Sequence, residues 1–410
     1  MKQSIRVIIG GAYGDEGKGL VTDLFSAQNV STLVIKHNGG AQSGHTVEYL
    51  DEHGLEKRFV FHELSSGSFR GADTLWADKY LPDLYKLSEE MEAFSEVSGF
   101  KPSVYACENT CITLIDDVLL NMAAECARGE KRHGSCGMGI YEAVLRNQAG
   151  FPVTVKQVKE LPLEDLVERM RGIRKAYLPL RLKELGLSLD DPGEYGELLQ
   201  SDSVLVNAAV EMKRGAQYVD LIKEKRSFME RYGNVIFESG QGLLLDWDYE
   251  PGFPHVSASK TGLDNPLQFL RECALKPDEV IYVVRSYLTR HGAGPLPHEC
   301  GGAELGHVLS DETNVPNPWQ GTLRYSRYDS LQAMLQPMAE DFRKCRGETK
   351  ASLCITHLNE TEGKICMAGG DLSVEEFRKL PTVNNLFSQI YLSNTKYSRD
   401  ITCMFPPFCV

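Results

Sequence analysis

The stretch SIRVIIGGAYGDEGKGL, residues 4–20, decides the reading of this chain. An apolar run, Ile5–Ile9, is followed by glycines and then by a helix-like segment starting near Leu20. A strand, a glycine loop and a helix set backbone N–H groups around an anion, and the helix N-terminus favours negative charge. Lys18 adds a positive point charge. A Walker-type loop would end Gly-Lys-Ser/Thr, with the hydroxyl on magnesium. Here Gly17-Lys18 is followed by Gly19, so another group must hold the metal. The Asp15-Glu16 pair puts carboxylates into an anion site, which makes sense if one of them binds a metal or takes a proton.

The remaining apolar runs are short: Thr32–Ile35, Phe59–Phe61, Val104–Ala106, Val235–Phe237, Val280–Val284, Ser352–Ile355 and Ile390–Leu392. Helix-like stretches such as Leu81–Phe94 and Asp329–Cys345 lie between many of them. Buried strands alternating with helices predict an α/β fold, with a large, mostly parallel central sheet flanked by helices. Residues 155–232, rich in Leu, Glu, Lys and Arg at helical spacing, predict a helical insertion within one domain spanning 1–410.

The bulk composition narrows the function. The 410 residues are 42% apolar and 25% charged, and the net charge is −13 with no long basic run. This argues against a grip on nucleic acid polymer or on an anionic membrane. No stretch approaches the roughly 20 apolar residues of a membrane span. The 11 cysteines read as reduced thiols of a cytoplasmic protein. Cys107 and Cys111 have a ligand-like spacing, but no second pair matches it.

A second glycine-rich loop, HNGGAQSGHTV at 37–47, follows the run Thr32–Ile35 and ends near His45. With both loops in view, the chain resembles the adenylosuccinate synthetase family. That family carries G-D-E-G-K-G and N-G-G-x-N-A-G-H-T loops. Here they read Gly14-Asp15-Glu16-Gly17-Lys18-Gly19 and Asn38-Gly39-Gly40-Ala41-Gln42-Ser43-Gly44-His45-Thr46. Further segments follow in the same order: FHELSSG (61–67), GSCGMGIYEAVLR (134–146), FESGQGLLLDWDYEPGFPHVSAS (237–259) and LTRHGAGPLPHE (288–299). The last is similar to the family's T-R-V-G-x-G-P-F-P-T-E.

The resemblance implies a ligase. It phosphorylates O6 of a purine nucleoside monophosphate with an NTP and displaces the phosphoryl group with the amino group of an amino acid, aspartate in the family. It implies Asp15 as general base and, with the Gly44 carbonyl, as Mg²⁺ ligand. Lys18 would neutralise phosphoryl charge, and His45 would stabilise the transferring group. Glu16, Gln42, Ser43, Ser135, Cys136, Gln241 and Ser257 fall where the family holds the acceptor nucleotide. Arg146 falls where an arginine reaches across a homodimer. Gly14, Gly17, Gly19, Thr46, His357, Asn359, Ser393 and Thr395 fall at the NTP, and Thr322 and Arg324 at the amino acid.

The departures bear on the substrates. The family's guanine reader, T-K-x-D, stands here as Thr356-His357-Leu358-Asn359. Asparagine has one donor and one acceptor and matches the adenine edge, which opens ATP beside GTP as phosphoryl donor. The family's arginine-rich T-T-G-R-x-R-R loop becomes TNVPNPWQGTLRYSRYD (313–329), where Arg324 and Arg327 are the basic residues left and Trp319 and Gln320 reshape the pocket. Met138 replaces an arginine. These changes open GMP and dGMP beside IMP as acceptors. Phage variants of the family that act on dGMP replace the base aspartate, whereas Asp15 is kept here. The alternative is a non-catalytic nucleotide-binding protein on the same fold, which would not need both Asp15 and His45.

Overall fold

The computed structural model describes residues 3–28, 30–51, 53–129, 134–189, 194–307, 314 and 321–404. A ten-stranded sheet runs through it. From edge to edge the strands are Thr402–Met404, Gln389–Leu392, Lys350–Thr356, Glu279–Arg285, Ser4–Gly10, Asn234–Gly242, Thr32–Lys36, Asp73–Trp76, Val104–Cys107 and Val219–Ile222. Neighbours are parallel throughout, except that Thr402–Met404 closes one edge antiparallel. The central strands carry apolar runs that face both layers, because helices cover both faces. Val7, Ile9, Val235, Phe237, Val280 and Tyr282 join one core, while Ile8, Ile236, Ile281 and Val283 join another.

The run Phe59–Phe61 lies outside this sheet. It ends the strand Glu56–Phe61, which pairs antiparallel with His45–Leu50 and sets His45 opposite Phe61. The 155–232 segment is helical at Val155–Glu160, Leu163–Leu185, Glu194–Gln200 and Asp202–Gly215. The helical run is interrupted by Val219–Ile222, which pairs with Val104–Cys107 as the far edge strand, before a last short helix, Lys225–Met229. Leu166, Val167 and Met170 of the long helix pack into one core with Trp76, Leu87 and Phe94, so the insertion shares its core with the sheet layer.

Parallel strands place their following loops at one end of the sheet, where open α/β sheets bind ligands. Five such loops matter here. They are 11–17 after Ser4–Gly10, 37–44 after Thr32–Lys36, 243–259 after Asn234–Gly242, His357–Asn359 after Lys350–Thr356, and Ser393–Thr395 after Gln389–Leu392. No helix among the described residues is long and apolar enough to cross a membrane.

Candidate active site

The first loop is built around a buried carboxylate. Glu16 accepts from the backbone N–H groups of Ala12 (3.0 Å) and Gly14 (2.8 Å) and from Lys18 Nζ (2.8 Å). A Cβ at Gly10 would lie 2.4 Å from Glu16 Oε2, and one at Gly242 would lie 2.6 Å from Oε1. These two glycines therefore make room for the carboxylate. Glu16 was expected to touch the acceptor nucleotide; the structure turns it inward instead, as the staple of the loop and the counter-charge of Lys18. The helix Lys18–Ser26 begins at Gly17 in the left-handed region with no side-chain cap. Its first amides are thus left for a ligand.

Other loops lock onto this one. Thr356 Oγ1 donates to the Glu16 carbonyl at 2.8 Å, and Arg285 Nε donates to the Asp15 carbonyl. Asn38 and Gly240 exchange two hydrogen bonds of 2.9 Å, clamping the second glycine loop to the end of Asn234–Gly242. Six described non-glycine residues have positive φ, and Asp15 (57°), Gln241 (63°) and His357 (58°) are three of them. Strain of this kind persists where the surroundings over-determine it, and it clusters at functional sites.

Two cavities open beside these loops. The first, about 510 Å³, is lined by Asp15, Gly17, Lys18, Gly19, Gly44, His45, Thr46, His357, Asn359, Ser393 and Thr395, among others. It brings together the residues expected at the NTP, except Gly14, with the catalytic set. The second, about 400 Å³, is lined by Gln42, Ser135, Cys136, Gln241 and Ser257, among others. Both volumes suit a nucleotide. Ser43 Oγ and Gln42 Oε1 are buried with no hydrogen-bond partner, which leaves polar capacity for a ligand. The cavities approach each other at Asp15, whose Oδ2 lies 3.4 Å from Nε2 of His291 in the second cavity lining. His291 was missed in the sequence because its segment is otherwise so close to the family pattern.

His45 is buried, and its Nδ1 lies 2.9 Å from Glu238 Oε1, while the Ser66 N–H donates to Oε2 at 3.3 Å. Burial opposes ionisation of Glu238, but the His45 ring and Lys36 outweigh it and hold the carboxyl down at about 2. Burial also pushes His45 below the ordinary histidine range, against the pull of Glu238 and aided by Lys18 and Lys36. Glu238 is thus the carboxylate that orients the His45 ring. Donation from Nδ1 leaves Nε2 as the ring nitrogen free for chemistry.

Two more of the expected site residues are engaged within the chain. Arg146 does not reach outward to a partner subunit. It is 1% exposed, and its Nε and Nη2 both donate to Asp117 at 2.9 Å, with further bonds to the carbonyls of Ile112 and Phe151. Arg146→Ala should therefore act on stability, because it strands a buried carboxylate. The expected loss is about 3–5 kcal/mol in denaturant unfolding, with nucleotide affinity of the folded fraction unchanged. Arg324, expected at the amino acid, has its guanidinium engaged within the chain. It forms a two-pronged pair with Glu299 and donates to the carbonyls of Gly292 (3.1 Å) and Gly294 (2.9 Å). Thr322 is exposed and lines neither cavity, and Trp319 and Gln320 lie outside the described residues.

Buried histidines around the site make the fold acid-sensitive. Burial holds His37 at about 3, against the pull of Glu238, and His62 at about 4. Below about 6.5 the unfolded chain takes up protons that the folded chain refuses, so this stability is present above about 6.5 and declines as the pH falls toward 4. His37 pairs with Ser239 Oγ at 2.9 Å, a bond glutamine can keep. His37→Gln should flatten the decline between pH 6 and 5 by about 1.4 kcal/mol per pH unit, read from urea midpoints.

The Mg²⁺ implied by the resemblance fits the donors present. Asp15 offers a carboxylate and Gly44 a carbonyl on the lining of the same cavity. Mg²⁺ is commonly bound by one or two carboxylates plus substrate phosphates and water. No group of three or more His, Cys, Asp or Glu side chains gathers as a metal cluster among the described residues.

A mostly parallel α/β sheet with a strand–glycine loop–helix and two nucleotide-sized cavities meeting at one carboxylate is the architecture of a nucleotide-binding protein, and the class to which it belongs is a family of C–N bond-forming ligases. A family model for adenylosuccinate synthetase matches residues 7–333, and the chain belongs to that family. It is 29% identical over 320 residues to an adenylosuccinate synthetase of Thermosipho africanus (strain TCF52B), covering 76% of this chain and 72% of that protein. Several cyanobacterial relatives match over 64% of their own length. Among solved structures, fully ligated adenylosuccinate synthetase from Plasmodium falciparum superposes with a TM-score of 0.68 at 17% identity, covering 97% of this chain and 99% of that one. Succinoaminodeoxyadenylate synthetase (PurZ) of cyanophage S-2L, bound to dGMP and to dATP as an energy donor, gives 0.61 at 16% identity, covering 99% and 96%. At such identities these two structures speak for the fold.

Proposed function

We propose that this protein uses an NTP to replace the 6-oxygen of a purine nucleoside monophosphate with the amino group of an amino acid. The observation that carries this reading is Asp15, which lines the first cavity and touches His291 of the second. A proton acceptor there serves an acceptor nucleotide in one cavity and an NTP in the other.

In this reading Asp15 takes the proton from N1 of the 6-oxopurine. O6 then attacks the γ-phosphorus, an O6–P bond forms, the bond to the β-phosphate oxygen breaks, and the nucleoside diphosphate leaves. Lys18 and His45 stabilise charge on the moving phosphoryl group. The amine nitrogen next attacks C6, phosphate departs with O6, and the amine loses a proton. Mg²⁺, held by Asp15, the Gly44 carbonyl and the donor phosphates, would supply neutralisation of phosphate charge. Transfer of this kind depends mainly on positioning and electrostatics. In this reading ATP or GTP is the donor, IMP, GMP or dGMP the acceptor, aspartate the amine carried over from the family, and a homodimer the assembly.

The test is mass spectrometry of one pooled reaction of enzyme, Mg²⁺, ATP, GTP, the three acceptors and a mixture of amino acids. The reading expects a mass equal to one acceptor plus one amino acid minus water, together with a nucleoside diphosphate that names the donor. Bound NTP with no adduct would favour the non-catalytic reading.

A further inference from the structure

His291 has an unusual setting. It follows the strand Leu288–Arg290, in which Arg290 pairs with Arg324 across the antiparallel ladder. The loop after it is held from both sides. Arg324 donates to the carbonyls of Gly292 and Gly294, while Arg290 donates to those of Pro295 (3.0 Å) and His255 (2.7 Å). Gly292 has φ 71°, and a Cβ there would meet the Gly134 carbonyl oxygen at 2.8 Å. Two arginines and a close glycine contact fix a loop whose projecting side chain is an imidazole. Its Nε2 lies 3.4 Å from Asp15, and its Nδ1 is buried with no partner. An unpaired buried polar nitrogen is costly unless a ligand satisfies it.

We propose that His291 is a further residue of the acceptor site. Its Nε2–H pairs with Asp15 and positions that carboxylate, and its Nδ1 accepts a hydrogen bond from an N–H or O–H of the bound nucleotide. This rests on the reading that the second cavity holds the acceptor. The two nitrogens have separable stand-ins: a glutamine amide reaches the Nε2 position, and an asparagine amide the Nδ1 position. The family pattern quoted above carries valine here, so an apolar residue is compatible with the fold.

The experiment compares His291→Val, His291→Gln and His291→Asn in the full chain. It measures kcat, the acceptor KM, and calorimetric affinities for IMP, for GMP and for the NTP. His291→Val should lower kcat at least tenfold, raise the acceptor KM several-fold, and leave NTP affinity unchanged. Glutamine should restore kcat, and asparagine should restore acceptor affinity. Unchanged kinetics in His291→Val, or equal loss in all three variants together with lost NTP affinity, would overturn the proposal. If the wild type forms no adduct, the ligase reading fails, and the calorimetric arm decides alone. Acceptor binding weakened by valine and restored by asparagine still supports the nucleotide contact. Equal binding, or none in the wild type, sinks it.

Discussion

Asp15→Asn should lower kcat by about 10³-fold or more while NTP affinity stays within a few-fold. Asparagine keeps the size of the side chain and one oxygen, and it cannot take a proton. General-base catalysis contributes about 10²–10⁴, and the charge lost next to the donor phosphates adds to that. The backbone already holds this residue at φ 57°, so the substitution changes chemistry at a fixed point and leaves the loop intact. The check is a single-turnover assay beside titration with a fluorescent NTP analogue. A variant that turns over within tenfold of wild type would remove Asp15 as the base.

The second large effect is expected at His45 and Glu238. His45→Ala should cost about 10²–10⁴ in kcat. Glu238→Ala should approach it, because the ring loses the carboxylate that sets its tautomer and orientation. The two act as one unit across 2.9 Å. The double variant should therefore be little worse than His45→Ala, so that a double-mutant cycle gives a large coupling energy. Additive losses would mean that Glu238 serves the fold and not the ring. Glu238→Ala should also unfold earlier in urea, since Ser66 N–H loses its buried acceptor.

The fold was legible where strands are buried on both faces. Ser4–Gly10, Asn234–Gly242 and Glu279–Arg285 announce themselves as apolar runs. Asp73–Trp76 and Val219–Ile222 did not, because each is four residues long and carries an aspartate. The loops of the candidate site could also be read, since glycine spacing marks where backbone must approach a ligand. What the sequence could not supply was the partner of each charge. Glu16, Lys18, Arg146 and Arg324 all looked like ligand-facing groups. Three-dimensional neighbours supply those partners: Glu16 pairs with Lys18, which still lines the first cavity, Asp117 with Arg146 and Glu299 with Arg324. His291 shows the reverse case, where an unremarked side chain gains meaning through a contact 276 positions away in the chain.

The strand that carries the first glycine loop has consequences for how the chain is made. Ser4–Gly10 sits mid-sheet, and its two neighbours are Asn234–Gly242 and Glu279–Arg285. On the ribosome it emerges more than 200 residues ahead of either strand with which it pairs. At about 5–20 residues per second, that is roughly 10–50 s with two open edges on one of the most apolar segments. Pairing over such separations is also slow, because the loop must close before any contact rewards it. Nascent chains arrested before residue 234 should therefore hold this apolar segment with both edges unpaired. The same strand becomes one of the best-shielded parts of the finished protein.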